Sequence, residues 1–474
     1  MNYSEFLKMI PEAFLVLALI VVFFGDFCLN KSEKKNGFLS KLTCVLLLGQ
    51  ICACLFAESE SAFGGLYVTS QAVNVMKTIL TFGTFIVVIM AQPWLETQKR
   101  IAGEFYMLIL STLLGMFVMM SSGNFLLFFL GLEMASVPLA CMVAFDRHRK
   151  ESAEGAAKYI LVATFSSGVM LFGISFIYAA TGTLYFNDVA NKLLAEPLTI
   201  MGLVFFFSGL GFKISLVPFH FWTADTYQGA PTPVTGYLSV ISKGAAAITL
   251  CIILMKVFQP MLEYWDYMLY IVIVLSITVA NLFAIRQSEL KRFMAFSSIS
   301  QAGYIMLAVV GNSQLGVAAL TYYVLVYIVA NMAVFTVINI VEQKNGGRTD
   351  MAAYNGFYQT NPKLSFLMTL ALFSLAGIPP FAGMFSKFFV FMAGVQNGDP
   401  MAYFVVFVAL VNTVVSLYYY LLIVKAMYIT KTDEPLPTFQ SDGATKIALG
   451  ICTAGIALFG IVSCIYEWIA AAGI

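Results

Sequence analysis

The chain is predicted to be an all-α polytopic membrane protein of about fourteen transmembrane helices, and two observations carry that prediction. Of its 474 residues, 60% are hydrophobic and 11% charged, against about 25% charged in soluble domains, and the mean hydropathy is +0.87. Apolar stretches near or above the roughly 18 to 20 residues that cross a hydrocarbon core as a helix recur from one end to the other. A membrane β-barrel is excluded, because its strands would be about ten residues long with alternating polarity.

In chain order the spans are expected near residues 10–29, 39–57, 73–92, 105–121, 124–145, 156–180, 198–221, 233–258, 266–285, 293–311, 314–341, 364–396, 401–429 and 444–468. The first begins near Pro11 and runs to Leu29, too long for a signal-peptide core and without a small-residue cleavage site. No connecting loop is long enough to fold as a catalytic domain, the largest lying around 342–363 and 430–446. Chemistry therefore belongs within the helices or to a partner subunit.

Two spans carry helix breakers beside a lysine. These are Gly209-Leu-Gly211-Phe-Lys213-Ile-Ser-Leu-Val-Pro218 in the seventh and Gly377-Ile-Pro379-Pro380-Phe-Ala-Gly383-Met-Phe-Ser-Lys387 in the twelfth. They lie five spans apart, and an odd offset reverses a span's direction. The pattern predicts two inverted five-helix repeats, spans 4–8 and 9–13, with helices 7 and 12 broken near mid-membrane where an ion site forms. A break exposes backbone groups that lipid cannot satisfy, so protein or water must cover it. The expected organisation is an N-terminal three-helix segment (1–100), a first repeat (101–260), an inverted second repeat (261–430) and a C-terminal helix (431–474).

Loop charge predicts sidedness, because cytoplasmic loops are enriched in Lys and Arg. Eighteen basic residues fall in odd-numbered loops: Lys31, Lys34, Lys35, Lys41, Lys99, Arg100, Arg147, Arg149, Lys150, Arg286, Lys291, Arg292, Lys344, Arg348, Lys363, Lys425, Lys431 and Lys446. Lys8, Lys77, Lys192 and Lys256 are assigned to the other side, with the acidic Glu58-Ser-Glu60. Both termini are thus expected to face away from the cytoplasm.

The remaining four of the 26 basic residues, Lys158, Lys213, Lys243 and Lys387, lie inside apolar runs with one acid, Glu133. A charge at the centre of a bilayer helix costs roughly 2.5 to 3.5 kcal/mol on insertion scales. Five in one chain point to an ion or proton path. Glu133, in Gly131-Leu-Glu133-Met-Ala-Ser-Val-Pro138, is expected to pair with Lys158, in Glu154-Gly-Ala-Ala-Lys158; a protonated glutamate and a snorkelling interface lysine are the alternatives. Lys213 and Lys243 are on the order of 12 to 15 Å from the nearer helix end, beyond easy reach of an interface. Lysine suits proton handling because desolvation weakens its hold on a proton, whereas arginine keeps its proton. The order of the lysines suggests a relay ending at Lys387. Ser297, Ser298, Ser300, Gln301, Tyr304, Tyr327 and Asn331 either carry a water chain between the repeats or serve as interhelical glue. His220, beside Asp225, is a candidate for proton entry or a helix-end cap. His148 belongs to a basic loop.

Eight cysteines (Cys28, Cys44, Cys52, Cys54, Cys141, Cys251, Cys452, Cys464) are scattered without metal-ligand spacing, and with two histidines no haem or iron–sulfur site is expected in this chain. A net charge of +1 implies no nucleic-acid partner.

The stretch GFKISLVPFHFWTADTYQGAPTPVTGYLSVISKGAAA, Gly211 to Ala247, resembles the antiporter-like subunits of respiratory complex I. With GLEMASVPL around Glu133 and GIPPFAGMFSKF around Lys387, the likeness spans about residues 100 to 430. It is nearest to the branch of N subunits of bacterial NADH-quinone oxidoreductase. Lysine at the last relay position departs from the M branch, no lateral helix after Trp468 departs from the L branch, and Tyr227-Gln-Gly-Ala is similar to the N branch. The resemblance implies a fourteen-helix subunit translocating protons, driven by quinone reduction elsewhere. Relay roles would fall on Glu133, Lys158, Lys213, Lys243 and Lys387. Quinone, FMN and iron–sulfur clusters would sit in partner subunits, the partners being other membrane-arm subunits and lipid in a bacterial inner membrane. The competing readings are a subunit of a multi-subunit cation/proton antiporter or membrane-bound hydrogenase-type complex, and a structural membrane scaffold.

Overall fold

A computed structural model describes residues 3–29, 35–97, 101–432, 435–462 and 464–473. Lys31, Lys34, Lys99 and Arg100, used above for sidedness, lie outside the described residues. Among the described residues, thirteen helices are long and apolar enough to cross a membrane. The remaining span, twelfth in order, consists of two shorter apolar helices, Pro362–Ala376 and Ala382–Gly394, which gives the fourteen expected.

Burial sorts the spans into a centre and a rim. The tenth (Leu290–Val310) and eleventh (Gln314–Lys344) are buried along their whole apolar windows, and the third (Gln71–Thr97) and eighth (Thr232–Lys256) nearly so. The first (Ile10–Cys28), sixth (Lys150–Thr181) and thirteenth (Pro400–Tyr428) leave much of their apolar surface uncovered. A helix apolar all round and buried all round marks the core of the bundle.

The last span ends earlier than its hydropathy indicated. It stops at Ile461, where Val462 turns to extended backbone, and a separate helix follows over Cys464–Ala471. The third span begins at Gln71, which places Lys77 in its second turn and not in the loop charge of one side.

The seventh span is broken as expected, into Pro197–Ile214 and Trp222–Gly229. Ser215 takes the left-handed conformation (φ 67°), and the freed groups find partners in protein. Leu216 N donates to Gly211 O at 2.9 Å, Val217 N to Ser276 Oγ of the ninth span at 2.9 Å, and Trp222 Nε1 to Phe212 O at 3.2 Å. The twelfth span breaks between Ala376 and Ala382. Gly377 there has φ +90°, a conformation that favours glycine, and a Cβ would lie 3.1 Å from Lys387 Cδ, so the lysine side chain would have to give. The break is roofed by the last span, whose Gly460 lies against the Pro380 and Ala382 backbone.

The eighth span carries a feature that periodicity does not reveal. Between Thr232–Tyr237 and Lys243–Lys256, residues Leu238–Ser242 form a π-helical turn, a widened turn of the kind found at functional sites. It ends on the residue before Lys243.

Candidate functional site

Lys213, Lys243 and Lys387 are 3%, 2% and 4% exposed, so the three central lysines lie where the sequence places them. Their partners are neutral. Lys213 Nζ donates to Ser136 Oγ at 2.8 Å and to Tyr159 OH at 3.1 Å, which joins the fifth span (Phe125–Val143) to the sixth. Lys243 Nζ donates to Ser298 Oγ at 2.7 Å, and Ser298 Oγ lies 3.1 Å from Tyr227 OH. The Lys243 ammonium also stands 5.5 Å from the centre of the Tyr227 ring.

Lys387 closes the broken helix. Its Nζ donates to Ala376 O at 3.0 Å and lies 5.0 Å from the Tyr304 ring centre. Gln301 Nε2 donates to the neighbouring Leu375 O at 3.2 Å. The last carbonyls of a helix have no intrahelical donor and carry its negative dipole end, so the break is an acceptor site that an ammonium fits.

Between Lys243 and Lys387 the tenth span supplies the polar lining. Gln301 accepts from Tyr323 OH, and Gln301 Nε2 reaches Tyr420 OH at 3.2 Å. Ser297 and Tyr420 hydroxyls lie 2.5 Å apart. Beside Lys387 is a cavity of about 10 Å³ lined by Gln301, Tyr323, Tyr327, Ser374 and Ser386, on the scale of one water. Ser300 Oγ, Tyr327 OH and Asn331 Oδ1 are buried without a hydrogen-bond partner. Buried polar atoms are normally satisfied by protein or ordered water.

Glu133 and Lys158 are not brought together. Lys158 Nζ binds Asp225 Oδ2 at 2.7 Å and Glu154 Oε1 at 2.6 Å, with 43% of its side chain exposed, so it is a half-buried lysine near a helix start. Its position, nine residues into the sixth span, puts two carboxylates nearer than Glu133. Glu133 is partly buried, and its Oε1 has no partner. Ser136, one turn on, holds Lys213. His220 lies in the break of the seventh span with Nδ1 buried and unpartnered. It is not among the partners of Asp225, which Lys158 and Arg292 occupy.

Three further buried lysines fall outside the candidates above. Lys77, 0% exposed, binds Glu12 Oε1 at 2.6 Å and Tyr67 OH at 3.3 Å. Lys35 lies 2.9 Å from Asp26 Oδ1, and Lys291 lies 3.3 Å from Glu342 Oε1. Glu12 was the available signal, since it too lies inside an apolar stretch. The contrast sorts the lysines. Lys35, Lys77 and Lys291 each have a carboxylate, whereas among the described residues no acid lies within 4.0 Å of Lys213, Lys243 or Lys387.

Among the described residues no three His, Cys, Asp or Glu side chains converge as a metal site, and the eight cysteines are free and dispersed. That donor set does not fit an iron–sulfur cluster.

Comparison with known proteins adds the family. Residues 122–416 match the model of the NADH:quinone oxidoreductase/Mrp antiporter transmembrane family. The chain is 56% identical over 469 residues to NADH-quinone oxidoreductase subunit N of Phocaeicola vulgatus, covering 98% of each. It is 48% identical over 473 residues to that of Azobacteroides pseudotrichonymphae, covering 99% of this chain and 98% of the relative. A chain of respiratory complex I from Thermus thermophilus superposes with a TM-score of 0.82 at 29% identity, covering 98% of this chain and 100% of that one. A chain of the Mrp complex from Dietzia sp. gives 0.86 at 18% identity, covering 99% and 96%, a likeness of fold.

Proposed function

Because this chain belongs to the NADH:quinone oxidoreductase/Mrp antiporter family, and within it to the N subunits of NADH-quinone oxidoreductase, we propose that Lys213, Lys243 and Lys387 carry protons through it. The observation that carries this reading is the absence of a carboxylate from those three lysines. A buried ammonium without a counter-ion is costly and tends to shed its proton. An ion-paired lysine such as Lys77 has its counter-ion at 2.6 Å. Hydroxyls and backbone carbonyls at 2.7 to 3.1 Å accept a hydrogen bond from an ammonium, and the hydroxyls can donate to an amine.

In the proposed sequence, a change in a neighbouring subunit alters the field at Glu133 and with it the proton affinity of Lys213. Loss of that field passes the proton by way of Tyr159, Tyr227 and Ser298 towards Lys243. Ser300, Tyr327 and Asn331 then line the way to Lys387, from which it leaves. The chain supplies no redox chemistry here. Quinone, FMN and iron–sulfur clusters belong to other subunits. The basic loops face the cytoplasm of a bacterial inner membrane and both termini lie opposite, with spans 4–8 and 9–13 as the two units.

The test is proton pumping per electron in membranes carrying Lys213→Ala or Glu133→Ala in the assembled complex. The reading expects a lowered ratio or rate for both; native values for both would exclude the path.

A further inference from the structure

Two carboxylates tie the sixth span to the tenth at the end bearing the basic loops. Arg149 and Lys291 meet on Glu342 at 2.7 and 3.3 Å. Lys158 and Arg292 meet on Asp225 at 2.7 and 2.5 Å. Adjacent residues of the tenth span thus hold both acids, and the second acid is where Lys158 is docked, away from Glu133.

The grip of Arg292 is two-pointed, since its Nη1 also donates to Gln228 Oε1 at 2.9 Å on the same half-helix. Arginine keeps its proton at any working pH and holds planar acceptors in fixed geometry, so deprotonation does not break this contact. The helix bearing it is continuous and buried. It also carries Ser298, Gln301 and Tyr304, which touch Lys243, the second break and Lys387 respectively. From Arg292 to Tyr304 is about 18 Å of helix rise. A packed helix shifts as one body, so displacement at the Lys387 end would reach Asp225.

We propose that Arg292 is a positioning residue for proton transfer: it holds Asp225 as the dock for Lys158, and a shift of the tenth span loosens the dock so that Lys158 can approach Glu133. This rests on the relay reading above. It assigns the coupling between the Lys387 unit and the Glu133 unit to one guanidinium.

Membranes carrying the complex with Arg292→Gln, Arg292→Lys, Asp225→Asn, the Arg292→Gln/Asp225→Asn pair and Lys213→Ala test it, with pumping and electron transfer normalised to assembled complex. Arg292→Gln is expected to lower pumping per electron several-fold and Arg292→Lys to recover part of it. The pair should be no worse than Asp225→Asn alone, because Arg292 acts through Asp225. Native pumping per assembled Arg292→Gln complex, or losses that multiply in the pair, would overturn the proposal. If Lys213→Ala also pumps as the parent does, the relay reading itself fails. If Lys213→Ala is defective while Arg292→Gln is native, only the positioning role fails.

Discussion

Lys387 donates from Nζ to the carbonyl oxygen of Ala376 at 3.0 Å, so the ammonium closes the half-helix that precedes it across the break. One side chain is thereby a cap and, in the proposed relay, a proton carrier, and substitution can separate the two roles. Lys387→Ala should leave Ala376 O without its donor, at about 1 to 3 kcal/mol, and lower both stability and pumping. Lys387→Arg keeps a cationic donor that does not release its proton. The expected outcome is an assembled complex, by native electrophoresis, with lost pumping.

In the proposed relay, the hydroxyls that hold Lys213 set how readily it exchanges its proton. Removing one charge-assisted hydrogen bond, in Tyr159→Phe or Ser136→Ala, should change the proton equilibrium at Lys213 by about tenfold. Each variant should slow pumping without abolishing it, and the double variant should be slower than either. Steady-state pumping rates in vesicles check this.

The Lys77–Glu12 pair is expected to serve stability. Breaking a buried pair from one side costs about 3 to 5 kcal/mol, so Lys77→Met or Glu12→Gln should lower the melting temperature of the purified complex. Replacing both with apolar residues of similar size should recover much of the loss. Proton-to-electron ratios of the complex that does assemble should stay native. A lowered ratio would place Lys77 in the path.

Gly383 admits no side chain, because a Cβ there would lie 1.7 Å from Ser374 O, and Gly383 N donates to Ser374 Oγ at 3.2 Å. Gly383→Ala should push apart the two halves of the twelfth span and reduce assembled complex. Gly443→Ala, with nothing within 4 Å of its Cβ, is the control expected to assemble normally.

Spans, breaks and the three central lysines were legible because hydropathy, proline and glycine are local signals. Lys213, Lys243 and Lys387 each sit inside a long apolar run. What the sequence left open depended on packing between distant segments. Lys158 was read as a partner of Glu133 or a snorkelling lysine, and Asp225 reaches it only once the second half of the seventh span lies beside the sixth. Lys77 was counted with a loop because its partner lies 65 residues away. The π-helical turn before Lys243 leaves no trace in apolar periodicity, since its residues are buried on every side. Arg292 was read as loop charge, and only the folded bundle sets it on Asp225.

If lysines buried without a carboxylate release and regain protons, the proton-to-electron ratio of vesicles carrying Lys243→Arg reports it. Arginine preserves the positive charge and a donor to Ser298 but does not give up its proton. A complex that assembles and transfers electrons with a clearly lowered ratio is the predicted result. An unchanged ratio and rate would show that charge at this position suffices, and would contradict proton transfer through Lys243.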